Sequence, residues 1–159
     1  MKRLLLVRHG ESEWNAVRRL QGQADIALST RGEAQAIALA PTVAQLAPDH
    51  VIVSDLRRAR QTAALLGHAD AQLHPGLREV DVGEWTGLEI AQIISQQGDD
   101  YRGWRAGHFA PPSGEEWTDF AQRTAAATLD AFEAADRLLV VCHGGVIRAL
   151  LQTLLGLSP

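Results

Sequence analysis

The stretch LLLVRHGE, Leu4 to Glu11, decides how this chain is read. A four-residue apolar run stops abruptly at Arg8, His9 and Gly10. A short aliphatic run bounded by charge is the pattern of a strand buried on both faces. Near the other end, LLVVCHGG, Leu138 to Gly145, repeats the shape and also stops at a histidine, His143. In sheets of parallel strands, ligands bind beyond the carboxyl ends of the strands. The two histidines are therefore expected at one edge. Side chains alternate along a strand, so Arg8 and His9 start on opposite faces. Gly10 relaxes that geometry, because glycine accepts backbone angles closed to other residues.

Between these stretches, strands and helices alternate. The apolar spacing predicts a helix over Gly32–Leu46, kinked or restarted at Pro41. His50–Ser54 (HVIVS) reads as a strand, and Leu56–Gly67 as a helix stopped by its glycine. Ala71–His74 reads as a short strand before a turn at Pro75-Gly76. Thr86–Gln97 has Ile90, Ile93 and Ile94 on one helical face. The Gly- and Pro-rich segment Gly98–Gly114 predicts a long loop. Glu115–Ala135 is expected as an Ala-rich helix, Leu138–Cys142 as a strand, and Gly144–Leu155 as a last helix ended by Gly156. This alternation predicts an α/β fold with a largely parallel sheet. Three loops then share one edge: Arg8-His9-Gly10, Ser54-Asp55-Leu56 and His143-Gly144-Gly145.

Composition narrows the function. The 159 residues correspond to one domain, with 46% hydrophobic and 21% charged residues, as in ordinary soluble chains. The net charge of −4 argues against a nucleic-acid partner. Of the 15 basic residues only Lys2 is a lysine. Arginine stays charged when buried and grips phosphate or carboxylate in bidentate fashion. The single cysteine, Cys142, allows neither an internal disulfide nor a cysteine zinc cluster. No apolar run approaches the roughly 18 residues of a membrane span. The N-terminal MKRLLLVRHGE is too short for a signal-peptide core and reads as a first strand, so a cytoplasmic location is expected.

Several residues could carry chemistry. A lone histidine is more often structural than catalytic. His143, however, follows a buried strand and precedes Gly-Gly and a helix. That places free N–H groups and a positive dipole end beside an imidazole, which suits an anion. SDLRRARQT (Ser54–Thr62) puts Arg57, Arg58 and Arg60 at a strand-to-helix junction; one pointing inward would be a phosphate ligand. LREVDVGEW (Leu77–Trp85) carries Glu79, Asp81 and Glu84, which locally read as a solvated acidic loop or, alternatively, as a source of a general acid. Cys142 to Arg148 has the C-x-x-x-x-x-R spacing of cysteine-based phosphatases, but Val141 and Ala149 stand where that family has His and Ser or Thr.

Together these motifs resemble the histidine phosphatase superfamily, in its phosphoglycerate-mutase-like branch. LVRHGESEWN (Leu6–Asn15) is similar to its signature R-H-G-x-[ST]-x-x-N. LQGQADIALSTRGEAQA (Leu20–Ala36) resembles the following segment, with Ala27 in place of the usual proline. SDLRRARQTA singles out Arg58, LREVDVGEWTG singles out Glu79, and VCHGGVIRAL carries the second histidine. The five motifs stand in family order along nearly the whole chain.

The resemblance implies a three-layer α/β/α sandwich and a phosphatase acting on a small-molecule phosphate ester, a sugar phosphate or phosphoglycerate derivative. It implies His9 as nucleophile, giving a phosphohistidine. Glu79 would be the general acid and then base, and Arg8, Arg58 and His143 would hold the phosphoryl oxygens. Ser12, Asn15, Gln21, Gly22 and Gly144 would contact the phosphate or the substrate entrance. No metal or other cofactor is expected, because the cationic side chains supply the compensating charge. Mutase-type phosphoryl transfer is the alternative. Mutases are longer and typically have an R-H-Y-G-like sequence after the acid, so hydrolysis is the expected reaction, and the chain is similar to glucosyl-3-phosphoglycerate phosphatases. A catalytically inactive phosphate-binding module is the non-enzymatic alternative. Two departures stand out. Glu116 replaces the serine of the family's G-E-S, a change expected to disfavour a second anionic group if it faced the pocket. The sequence also stops at LLGLSP, where relatives continue with further strands. The expectation is a domain lacking C-terminal strands, with an open sheet edge that a homodimer partner could cover.

Overall fold

The computed structural model describes residues 1–157. Its sheet has four parallel strands in the order β1-β4-β2-β3: β1 (Arg3–Arg8), β2 (His50–Val53), β3 (Gln72–Leu73) and β4 (Arg137–Cys142). In the register, Arg8 lies opposite Cys142 and Val53 opposite Val141, so the carboxyl ends of β1, β4 and β2 finish side by side.

Alternation along the strands builds two cores. Leu138, Val140, Cys142 and Ile52, with Leu4 and Leu6, face one side. There they pack with Ile93 of α4 (Ile90–Arg105), Phe120 and Ala127 of α5 (Trp117–Glu133), and Val146 and Leu150 of α6 (Gly144–Leu155). Leu139, Val141 and Val53, with Leu5 and Val7, face the other side, against Val43 of α2 (Thr30–Leu46) and Ala59 and Ala63 of α3 (Arg57–Leu65). The result is the expected helix–sheet–helix sandwich, each sheet face apolar because each is covered.

Three expectations fail. β1 stands at one end of the described strand order, with a neighbour on one side only, so Leu4–Val7 are half-buried rather than buried on both faces. α2 runs unbroken through Pro41, with Ala36 and Val43 buried two turns apart on either side of it. Packing of that face holds the helix together despite the backbone hydrogen bond proline cannot make. Gly98–Gly114 is not one long loop, because α4 continues to Arg105 past a single non-helical residue, Gln97. The cause is aromatic: Trp85 stacks within 6.3 Å of Tyr101, Trp104 and Phe109, ring centre to ring centre. That apolar burial outweighs the low helix propensity of Gly98 and Gly103. The helix also begins later than the pattern suggested, and Ile94 is turned to solvent while Ile93 is buried.

Candidate active site

The sheet edge positions the site. The His9 amide donates to the Cys142 carbonyl, and the Ser54 amide to the Val141 carbonyl. Arg8–His9, Ser54 and His143 are thus carried forward from three adjacent strands. The backbone just after His9 is packed against the start of α2, and a Cβ on Gly10 would collide with the Gly32 carbonyl. The Gly10 amide donates to Thr62 Oγ1 of α3.

His9 is buried, with 7% of its surface exposed. Its Nδ1 lies 2.6 Å from the Gly10 carbonyl oxygen. A carbonyl only accepts, so Nδ1 carries the proton and Nε2 keeps its lone pair. Burial, then the Arg58 and Arg8 charges, lower the pKa of His9 from 6.5 to about 3. The ring is a neutral imidazole with a free nitrogen at neutral pH.

Arg58 is fully buried in the first turn of α3. It donates through Nη1 to Ala24 (2.7 Å) and through Nη2 to Gly22 (2.8 Å), both backbone carbonyls of the loop after α1 (Glu13–Ala16). Burial lowers its pKa to about 10, which leaves it charged at neutral pH. Its Nε is buried with no hydrogen-bond partner among the described residues. Gly22, at φ +49°, has no room for a Cβ beside Val82.

Glu79 reaches the edge from the loop before the Gly83–Trp85 turn. Its carboxylate accepts the N–H of Val80 (2.9 Å) and the N–H of Gly145 (3.0 Å) in the first turn of α6. Arg123 of α5 fastens that loop. It donates to the carbonyls of Gly76, Arg78 and Glu79 and forms a two-point ion pair with Glu115. The clamping role of Arg123 is not visible in the sequence, because the carbonyls it reaches lie 44 to 47 positions away.

A cavity of about 380 Å³ opens over these groups. Arg8, His9, Arg58, Glu79, Asn15, Gln21, Gly22 and Gly144, all named from the sequence, line it. Arg19, Arg105, Trp104 and Trp117 also line it and were not foreseen, and so does Arg148, which the sequence singled out only through the C-x-x-x-x-x-R spacing. Arg148 lies 4.0 Å over the Trp117 ring and donates to the Arg105 carbonyl. Two expected positions, Ser12 and His143, are fully buried and not on the cavity wall, and Glu116 does not face it either. Ser12 is fully buried off the cavity wall: it caps α1 and donates to Gln21 Oε1. Glu116 is exposed outside the cavity, so it does not oppose a second anionic group. His143 is fully buried behind the wall, its ring 5.1 Å from that of His9, with Nε2 2.7 Å from Ser54 Oγ. Burial, followed by the Arg58 charge, holds His143 well below its ordinary pKa.

Cys142 cannot serve as a nucleophile here. It is wholly buried in the core on the opposite side of β4 from Val141, and burial followed by the Glu79 charge raises its pKa far above neutrality. Thiolate chemistry needs exposure and a lowered pKa. Among the described residues no His, Cys, Asp and Glu side chains group as a metal site, and no helix is long and apolar enough to cross a membrane.

Residues 4–159 match the model of the histidine phosphatase superfamily, branch 1. The chain is 39% identical to the probable phosphoglycerate mutase GpmB of Enterobacter sp. (strain 638), over 99% of this chain and 76% of that protein. It is 36% identical to the glucosyl-3-phosphoglycerate phosphatase of Mycolicibacterium vanbaalenii, with the same coverage. The solved structure of a mycobacterial glucosyl-3-phosphoglycerate phosphatase with VO3 superposes with a TM-score of 0.86 at 36% identity, over 99% of this chain and 84% of that one. The chain belongs to the histidine phosphatase superfamily, branch 1, and is an enzyme acting on phosphate esters.

Proposed function

We propose that the protein hydrolyses a small phosphate monoester through a phosphohistidine on His9. One observation carries this reading: the Gly10 carbonyl holds the proton of a neutral His9 on Nδ1, leaving Nε2 free in a cavity that Arg8, Arg58 and Glu79 share. In the first step the Nε2 lone pair forms the N–P bond as the ester P–O bond breaks. Glu79, protonated, gives its proton to the departing alkoxide. In the second step the Glu79 carboxylate takes a proton from water; the water oxygen bonds to phosphorus, the N–P bond breaks, and phosphate leaves. Arg8, Arg58 and His143 hold the phosphoryl oxygens, and the first amides of α6 at Gly144 and Gly145 add a positive field. Asn15, Gln21 and Gly22 shape the entrance.

The substrate is a sugar phosphate or phosphoglycerate derivative. Relatives named glucosyl-3-phosphoglycerate phosphatase support this, as do Trp104 and Trp117, broad apolar surfaces beside Arg105 and Arg148. Relatives named probable phosphoglycerate mutase keep phosphoryl transfer as the second reading. A panel of phosphate esters compared by kcat/KM, with ³¹P NMR of the products, tests both. Inorganic phosphate as the product supports hydrolysis; interconversion of phosphoglycerates without phosphate release would replace it by mutase chemistry.

A further inference from the structure

We propose that Ser54 is a positioning residue: its hydroxyl donates to Nε2 of His143 and so keeps the imidazole proton on Nδ1, available to a phosphoryl oxygen on His9. The assignment rests on the reading above and adds a residue to it. Ser54 follows β2 directly, is fully buried, and is fixed by the hydrogen bond its backbone N–H donates to the Val141 carbonyl. Its Oγ lies 2.7 Å from His143 Nε2 and accepts the Leu56 amide at 3.4 Å. The ring's other nitrogen, Nδ1, is buried with no partner among the described residues.

Two neutral arrangements fit the short Ser54–His143 contact. If the ring donates, the serine hydroxyl proton has no acceptor among the described hydrogen bonds. Nδ1 would also present a lone pair, which repels an arriving anion. If the hydroxyl donates, the serine proton is used and Nδ1 carries an N–H. A buried N–H without a partner is costly. It becomes favourable when a phosphoryl oxygen arrives beside it, 5.1 Å being the spacing of the His9 and His143 ring centres. A donor satisfied only in the phosphorylated or transition state favours the chemical step over ground-state binding. A charged imidazolium would escape the choice, but burial and the surrounding arginines disfavour it. Which ring nitrogen of a histidine is protonated is set by the partner of the other.

The test is ¹⁵N NMR of the imidazole-labelled protein, combined with steady-state kinetics on p-nitrophenyl phosphate. In the wild-type protein His143 is expected as the Nδ1–H tautomer. In Ser54→Ala that population is expected to shift toward Nε2–H, with kcat lower by about 10- to 100-fold and KM changed less. Ser54→Thr, which keeps a hydroxyl, is expected to restore the tautomer and most of kcat. Finding Nε2–H in the wild-type protein overturns the assignment whether or not the variants fold. So does a folded Ser54→Ala with unchanged tautomer and kcat. Failure of the wild-type protein to release phosphate from any ester overturns the catalytic reading instead, and the tautomer still decides the role of Ser54.

Discussion

The rings of His9 and His143 meet edge to face, their centres 5.1 Å apart and their planes 61° apart, yet they are anchored through opposite nitrogens. His9 is tied by Nδ1 to the Gly10 carbonyl, and His143 by Nε2 to Ser54. Each follows the carboxyl end of a strand and precedes glycine, although β4 is buried and β1, at one end of the strand order, is only half-buried. The local sequences are alike; the hydrogen bonds differ. An imidazole with a bare Nε2 on the cavity wall suits attack, and one buried behind it suits donation.

The first prediction separates His9 from the thiol. His9→Ala is expected to lower kcat/KM for phosphate esters by at least ~10⁴-fold, the scale of losing a nucleophile. It should also abolish the acid-labile ³²P-phosphoenzyme trapped by rapid quenching. Cys142→Ala, in the core on one side of β4, is expected to keep both. Loss of the phosphoenzyme in Cys142→Ala with retention in His9→Ala would reverse the assignment.

A second prediction concerns Glu79. General acid catalysis matters most when the leaving group is a poor one. p-Nitrophenolate departs without a proton, whereas an alkoxide does not. Glu79→Gln is therefore expected to slow phosphoenzyme formation from an alkyl phosphate by about 10²- to 10⁴-fold. With p-nitrophenyl phosphate it should give a burst of one equivalent followed by slow turnover, because the carboxylate that activates water is gone. Stopped-flow absorbance measures the burst. Equal slowing of both esters in the first step would remove Glu79 from the acid role.

Arg123 supports the same loop from behind. Arg123→Met would leave the carbonyls of Gly76, Arg78 and Glu79 and the Glu115 carboxylate without their donor. The expected cost in urea unfolding is about 2–4 kcal/mol, the range for charged, partly buried hydrogen bonds. The expected loss in kcat is larger for alkyl phosphates than for p-nitrophenyl phosphate, because the displaced group is Glu79. Arg123→Lys should recover little of either, since an ammonium cannot fork between three carbonyls and a carboxylate. A Lys variant equal to the wild type would show that charge alone suffices.

Much of this was legible in the sequence because the site is built from strand ends. Leu4–Val7 and Leu138–Cys142 announce strands by composition, though only the second is fully buried, and the polar residues directly after them must land at the carboxyl edge of the sheet. What sequence reasoning missed is held by contacts with no periodic signal. Arg123 reaches back 44 residues to the Glu79 carbonyl, and Ser54 reaches forward 89 residues to His143. The segment Gly98–Arg105 was misread because its glycines suggest a loop, while the aromatic cluster around Trp85 that makes it helical is assembled only in three dimensions. Ser12 was misjudged for a simpler reason. Its position in the signature fits a phosphate ligand equally well, and only the fold shows its hydroxyl turned to Gln21 and the Asn15 amide.

The neutral state of His9 has a consequence for folding as well as for attack. An unfolded histidine takes up a proton below about pH 6.5, whereas His9 in the native protein does so only near pH 3. Between those values the unfolded chain binds more protons, so stability is fully present above about pH 6.5 and falls as the solution is acidified. The slope is about 1.4 kcal/mol per pH unit for one such group. His143, shifted in the same direction by burial, adds to it. His9→Gln, which removes one of the two, is expected to flatten the dependence of unfolding free energy on pH by roughly that amount between about pH 6 and pH 4. Urea titrations of both proteins across that range measure it, and the carboxylates common to both cancel in the difference. Parallel curves would mean that the native protein protonates His9 as readily as the unfolded chain does. The attacking nitrogen would then lose its lone-pair advantage just below neutrality, and kcat/KM of the wild type would fall with it.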